Sequence, residues 1–434
     1  MITRRLISTA AGAGLGLAAI GARAAAPSPA PARGFLWGTA ISAHQSEGNN
    51  TNSDTWLLEN VQPTVYKDRS GDACDSYHRF AEDIALNAAL GFNCYRFGIE
   101  WARIEPEAGQ VSRAELDHYA RVLDACHAHG QTPIVTYNHF SVPRWFAARG
   151  GWTREDAPDL FARYCGWATK RLGSSMGMAT TFNEANVQLL VQLMGKPAAR
   201  LQLERDMLAA ANLATGSDRF SSLAYADPIV TRPILLEAHR QAYEAIKAEA
   251  AALPVGVSLT TQEIDSTGDP SLAEAAQARL YGGWTDVART HADFVGVQTY
   301  TRFRVDSHGI VPPPAGAELT AAGYEFYPQA LAATIRWAHQ AIGKPIYVTE
   351  SGMGGDDDRR RIAYIDQALA GVRRCLHDGI PVHSYIYWSL LDNYEWSSGY
   401  DKHFGLVAVD LKTFRRKPRP SAFHLGRRAR LNLL

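Results

Sequence analysis

The sequence predicts a single (β/α)8 barrel, an α/β fold of eight parallel strands alternating with helices. Three observations carry this prediction. Eight short apolar runs recur along residues 34–434. Amphipathic stretches with helical periodicity separate most of them. The runs show little in–out alternation, as expected of parallel strands covered on both faces. A doubly wound open sheet would want a glycine fingerprint after its first strand, and "FLWGTAISAHQSEG" has none.

The strands are expected, in order, at Phe35–Ala40, Asn93–Ile99, Thr132–Asn138, Ala179–Asn183, Val255–Thr260, Phe294–Gln298, Pro345–Thr349 and Val382–Trp388. Helical stretches include "DSYHRFAEDIALNAALG", "SRAELDHYARVLDACHAHG", "DAPDLFARYCGWATKRLG", "TRPILLEAHRQAYEAIKAEAAA" and "DRRRIAYIDQALAGVRRCLHDG". Glycine closes most of them, the usual left-handed helix stop. The charge run Asp356–Arg361 reads as a solvated loop entering the last of these.

Ahead of the barrel, residues 1–26 read as an export signal. Arg4-Arg5 precedes a weakly apolar, glycine-diluted stretch and then small residues at Ala22, Ala24 and Ala26, resembling a twin-arginine leader. The stretch is too interrupted for a permanent membrane span. Residues 27–33, with "PSPAPA", read as a stiff tether. The expectation is a periplasmic or secreted enzyme with no stable membrane insertion of its mature chain.

Forty-four basic and 44 acidic residues balance, which excludes a nucleic-acid footprint. Ten Trp and eighteen Tyr serve either core packing or a ligand-lining surface. Cys74, Cys94, Cys126, Cys165 and Cys375 form no Cys-x-x-Cys pair and no zinc spacing, so neither disulfides nor a structural metal is expected. His127 and His129 lie between a helix and a strand and do not make a metal set by themselves. "SGMGG" lacks the Lys-Ser/Thr of a phosphate loop. No cofactor is implied, and the oligomeric state is not legible.

Active sites of (β/α)8 barrels sit at the C-terminal ends of the strands. Those ends collect Gln45 and Glu47 after strand one, Arg96 and Glu100 on and after strand two, and His139 and Phe140 after strand three. Asn183-Glu184 closes strand four, Gln298 and Tyr300 close strand six, and Glu350 closes strand seven. Trp388, Glu395 and Trp396 follow from strand eight. Glu184 and Glu350 would face each other across the mouth. Glycosidic cleavage needs such a pair, about 5–5.5 Å apart for retention or about 6.5–9.5 Å for inversion. The donor must be protonated and its partner ionised; Arg96 and Tyr300 are the candidates to hold Glu350 ionised. Taken singly, either glutamate could instead form a structural salt bridge, His139 could be a satisfied structural histidine, and the tryptophans could be rim packing.

Five stretches resemble glycoside hydrolase family 1, the β-glucosidase family, over most of residues 34–424: "FLWGTAISAHQSEG", "DSYHRFAEDIALNAALGFNCYRFGIEWARIEPEAG", "TFNEAN", "YVTESG" and "YWSLLDNYEWSSGYDKHFGLVAVD". The resemblance implies a retaining exo-β-glycosidase acting on neutral β-glucosides or related β-glycosides through a covalent intermediate. Glu184 would be the acid/base and Glu350 the nucleophile. Gln45, His139, Asn183, Trp388, Glu395 and Trp396 would bind the sugar; Arg96, Tyr300 and Gln298 would support the nucleophile. Glu395, as a carboxylate, is expected to repel a sugar phosphate. Two other outcomes fit the same residues less well: a transglycosidase, and an idle carbohydrate-binding barrel.

The sequence departs from the family at Ala185, Phe140, Gln298 and Ser351, where proline, tryptophan, asparagine and asparagine are usual. Residues 188–231 resemble the family poorly. They are expected to be helical, forming either a hydrophobic lip for a bulky aglycone or a helix packed over the barrel.

Overall fold

The computed structural model describes residues 34–434, and the expected export signal and tether lie outside them. Eight strands close a parallel barrel: β1 (Leu36–Ala40), β2 (Cys94–Gly98), β3 (Thr132–Asn138), β4 (Met178–Asn183), β5 (Val255–Thr260), β6 (Phe294–Gln298), β7 (Ile346–Ser351) and β8 (Val382–Trp388). Each pairs with its sequence neighbours, and β1 closes on β8 in the register Leu36 to Ser384. All eight expected strands form. The seventh runs two residues further than expected, which keeps Glu350 inside it.

The helices that cover the barrel are α1 (Ser76–Leu90), α2 (Arg113–Ala128), α3 (Ala157–Leu172), α4 (Pro228–Glu249), α5 (Trp284–Thr290), α6 (Ala330–Ile342), α7 (Asp358–His377) and α8 (Pro420–Leu431). Side-chain caps set three of these starts, those of α2, α4 and α7. Ser112 accepts from the Glu115 N–H at the head of α2, and Asp357 accepts from the Arg359 and Arg360 N–H groups at the head of α7. The run Asp356–Arg361 is only half the solvated loop expected. Asp356 and Asp357 are exposed, but Arg361 is buried and donates to Asp358 and to the His403 carbonyl. Buried guanidinium is tolerated because those acceptors replace water.

Most of the apolar core lies between strands and helices, where Val255 and Val257 of β5 and Val295 and Val297 of β6 are buried. Inside the barrel, Cys94, Ile134, Met178, Phe294 and Ile386 fill the base. Gly296 sits one layer higher, where a Cβ would stand 2.4 Å from the Ser258 hydroxyl oxygen, so only glycine fits that strand contact. Above it the interior turns polar: Thr136 meets Thr180 at 3.0 Å, and Thr349 donates to Ser258 at 3.1 Å. The site therefore begins where the barrel stops being apolar. All five cysteines are free and buried. No helix among the described residues is long and apolar enough to cross a membrane.

Candidate active site

In a regular strand, neighbours point to opposite faces. Both glutamates escape this rule through irregularities at their strand ends. On β4 the register against β5 shifts between Thr180 and Asn183. Thr181 meets His239 on α4 at 2.7 Å, and Phe182 stacks on Phe161 of α3, so two successive side chains face outward. Asn183 is thereby turned into the barrel beside Thr180. Glu184 then takes a left-handed backbone, φ 46°, and also enters the cavity. On β7 the register shifts between Val348 and Glu350, and Thr349 and Glu350 both face inward. Bulges of this kind re-aim side chains next to active sites.

The two carboxylates line one cavity of about 410 Å³ at the barrel mouth, within the usual range for small-ligand sites. Glu350 is held by two donors: Arg96 Nη1 lies 2.5 Å from its Oε1, and the Tyr300 hydroxyl lies 2.6 Å from its Oε2. Arg96 is fully buried, and its Nη2 donates to Asn183 Oδ1 at 2.6 Å. Gln298, expected beside the nucleophile, reaches Asn183 instead, donating from Nε2 to Oδ1 at 2.9 Å. Its longer arm thus fixes the amide of Asn183, leaving that residue's Nδ2 to face the cavity. Burial pushes the Glu350 carboxyl up, opposed by Arg96 and by the Tyr300 hydroxyl. Glu184 has no such cation in contact. Burial first, and the Glu350 charge second, raise it to about 8. The two carboxyls are therefore driven apart, Glu184 protonated and Glu350 the more readily ionised.

Gln45, His139, Trp388, Glu395 and Trp396 converge on the same cavity. His139 is buried, stacks on Trp388 and Trp396, and has an unpartnered Nδ1. Burial, and then Arg96, push it well below the ordinary histidine range, so it is a neutral ring. The Gln45 amide is already engaged, donating to Asn393 and to the Tyr394 carbonyl and accepting from Ser42, which fixes its orientation. Glu395 accepts from Trp388 Nε1 at 3.3 Å, and burial raises it to about 8. Burial thus favours the protonated form of Glu395, opposed by the Trp388 N–H. Phe140, Glu184 and Trp396 all line the cavity with left-handed backbone, a concentration of strain typical of functional sites.

The profile of glycosyl hydrolase family 1 matches residues 30–278 and 285–430. The chain belongs to this family. It is 31% identical to the thermostable β-glucosidase B of Thermobispora bispora over 90% of this chain and 88% of that one. It is 28% identical to β-glucosidase A of Thermotoga maritima over 90% and 95%. The apo structure of a β-glucosidase designated 1317 superposes with a TM-score of 0.89 at 45% identity, covering 92% of this chain and 99% of that one. The protein is accordingly a glycoside hydrolase of β-glucosidase-like type.

In this family 1 enzyme the departures fall in different places. Ser351 faces away from the cavity, toward the Tyr364 hydroxyl at 3.3 Å. Phe140 presents its edge region to His139 and Trp396, supplying ring contact without a donor. The segment 188–231 forms two rim helices, Val187–Met194 and Ala198–Thr215. They do not make the wholly hydrophobic lip considered above. Val187 and Val191 reach the cavity, and so do Lys196, Arg200 and Glu204. Sequence reasoning also missed Tyr324, which lines the cavity from the loop before α6. No periodic pattern marks that loop, so nothing local signalled it.

Proposed function

We propose that the enzyme is a retaining exo-acting β-glycosidase that hydrolyses neutral β-glucosides or closely related β-glycosides. The observation that carries this reading is the pair Glu184 and Glu350 lining one cavity, with Arg96 and the Tyr300 hydroxyl donating to Glu350 and, among the described residues, no cation in contact with Glu184. Glu350, held by Arg96 and Tyr300, attacks the anomeric carbon. The bond to the leaving oxygen breaks as Glu184 gives that oxygen its proton, and an alcohol departs. The sugar is now an ester of Glu350. Water next attacks the same carbon while ionised Glu184 takes its proton; the ester bond breaks, and both carboxyls return to their starting states. Two displacements at one carbon preserve its configuration.

Exo action is supported by the closed end of the cavity, where Gln45, His139 and Trp388 are buried and would surround a terminal sugar. The hydrogen-bonded Asn183 stands where a 2-hydroxyl would be gripped. Proton NMR of the first-formed sugar from an aryl β-glucoside tests the reading. The β-anomer is expected first, and Glu184→Gln and Glu350→Gln should each lose at least about 10³-fold in kcat. First release of the α-anomer, or wild-type turnover in either variant, would overturn it.

A further inference from the structure

The rim segment that least resembles the family places an unusual charge set at the cavity mouth. Among the described residues, Lys196 and Arg200 are the only Lys or Arg side chains lining the cavity. Both pair with a single carboxylate, Glu204. Lys196 Nζ lies 2.9 and 3.0 Å from its two oxygens, and Arg200 Nε lies 2.9 Å from Oε1. Glu204 also lines the cavity but is only 6% exposed, while the Lys196 and Arg200 side chains are 24% and 33% exposed. Two positive charges thus meet one negative charge, and the positive ends are the accessible ones. Arg200 uses Nε on Glu204 and Nη1, at 3.5 Å, on the Val65 carbonyl, so Nη2 makes no hydrogen bond among the described residues. Beneath Lys196 lies the Tyr225 ring, 5.6 Å away, and Tyr66 meets Tyr225 edge-on. Val187 and Val191 complete an apolar flank.

We propose that this end of the cavity receives an anionic leaving group, specifically an aryl aglycone carrying a carboxylate. This rests on the glycosidase reading above. A terminal sugar at the closed end leaves its aglycone only the open end, where Lys196 and Arg200 stand. The tyrosines and valines take the ring, and the surplus positive charge takes the carboxylate, with the free Arg200 N–H as a directed donor. A neutral aglycone gains the apolar contacts alone. The preference is therefore a property of the leaving-group side and is independent of which sugar is bound.

The test compares 4-(2-carboxyethyl)phenyl β-glucoside with its primary amide, whose phenols have nearly equal acidity because the saturated spacer insulates the ring. The wild-type enzyme is expected to favour the acid in kcat/KM by roughly fivefold, the value of a partly exposed ion pair, and to lose the preference in high salt. Lys196→Gln/Arg200→Gln/Glu204→Gln, which removes both charges and their buried counterion together, should bring the ratio to about one. Glu204→Gln alone should raise it, since both cations are then released. A wild-type ratio near one, or a ratio unmoved in the triple variant, overturns the proposal. If the enzyme hydrolyses neither compound nor a 4-nitrophenyl β-glucoside, the glycosidase reading fails instead. Calorimetric affinities of the same acid and amide for the full-length protein then decide the charge preference by the same ratio.

Discussion

Arg96 and Glu350 form a buried ion pair, Nη1 to Oε1 at 2.5 Å, at the floor of the cavity. The pair is not isolated, because the second Nη of Arg96 holds Asn183. One guanidinium therefore favours the charged form of Glu350 and fixes the position of Asn183, the residue before Glu184. A planar fork does this in a way a point charge cannot. Replacing Arg96 with Lys should lower kcat by about 10²–10³, the range seen when one directed donor is lost from a dry site. The check is steady-state kinetics on an aryl β-glucoside, with circular dichroism to confirm the fold. A loss under tenfold would mean that charge alone suffices.

The Glu350 charge is the second cause of the raised Glu184 carboxyl. Removing it must lower Glu184. In Glu350→Gln, infrared or ¹³C titration should find Glu184 ionising below its wild-type value of about 8. The wild-type enzyme should show its alkaline activity limb near that same value. The direction matters for turnover. In the proposed double displacement an esterified Glu350 would carry no charge, so Glu184 would ionise more easily when it must act as base. An unshifted Glu184 in the variant would uncouple the two residues.

How much of this was legible in the sequence depends on what each feature needs. The eight strands were, because a strand covered on both faces writes itself as an apolar run. The residues of the rim were, because the C-terminal ends of several runs give way to Asn, Glu, His and Trp. The two bulges were not: alternation predicts that Asn183 and Glu184 diverge, and only contacts of Thr181 and Phe182 with the helices show why they do not. The raised carboxyl of Glu395 was also hidden, since it follows from burial rather than residue type. The charge set of Lys196, Arg200 and Glu204 was hidden, because the apolar side chains of residues 188–231 point to a hydrophobic lip or a packed helix.

Raised carboxyls make the fold pH-sensitive. Glu184 and Glu395 are raised to about 8 and Glu47 to about 7, in each case chiefly by burial. Between their ordinary value of 4.5 and these values, the folded state binds more protons than the unfolded one. Stability should then fall as pH rises through that window. Glu184→Gln, neutral at every pH, should melt higher than wild type at pH 8, on the order of 2 °C, with the gap closing toward pH 5. Calorimetric melts across that range check it, and a gap independent of pH would contradict the linkage. The gain comes at the expense of activity, as expected where a site is built from strained, desolvated groups.

The Tyr300 hydroxyl donates to Glu350 Oε2 at 2.6 Å and so favours the ionised nucleophile. Tyr300→Phe keeps the ring, which packs edge-on against Phe404, and deletes only that donor. Glu350 must then be harder to ionise, because burial is opposed by Arg96 alone. The acid limb of the kcat profile should move upward in pH. The fall in kcat should therefore be larger on the acid side of the profile than at its plateau. The alkaline limb belongs to Glu184 and should stay near its wild-type position. A uniform loss across the profile would assign Tyr300 to orientation of the carboxylate, and an acid limb moved downward would mean that the hydroxyl is not a donor to Glu350 in the working enzyme.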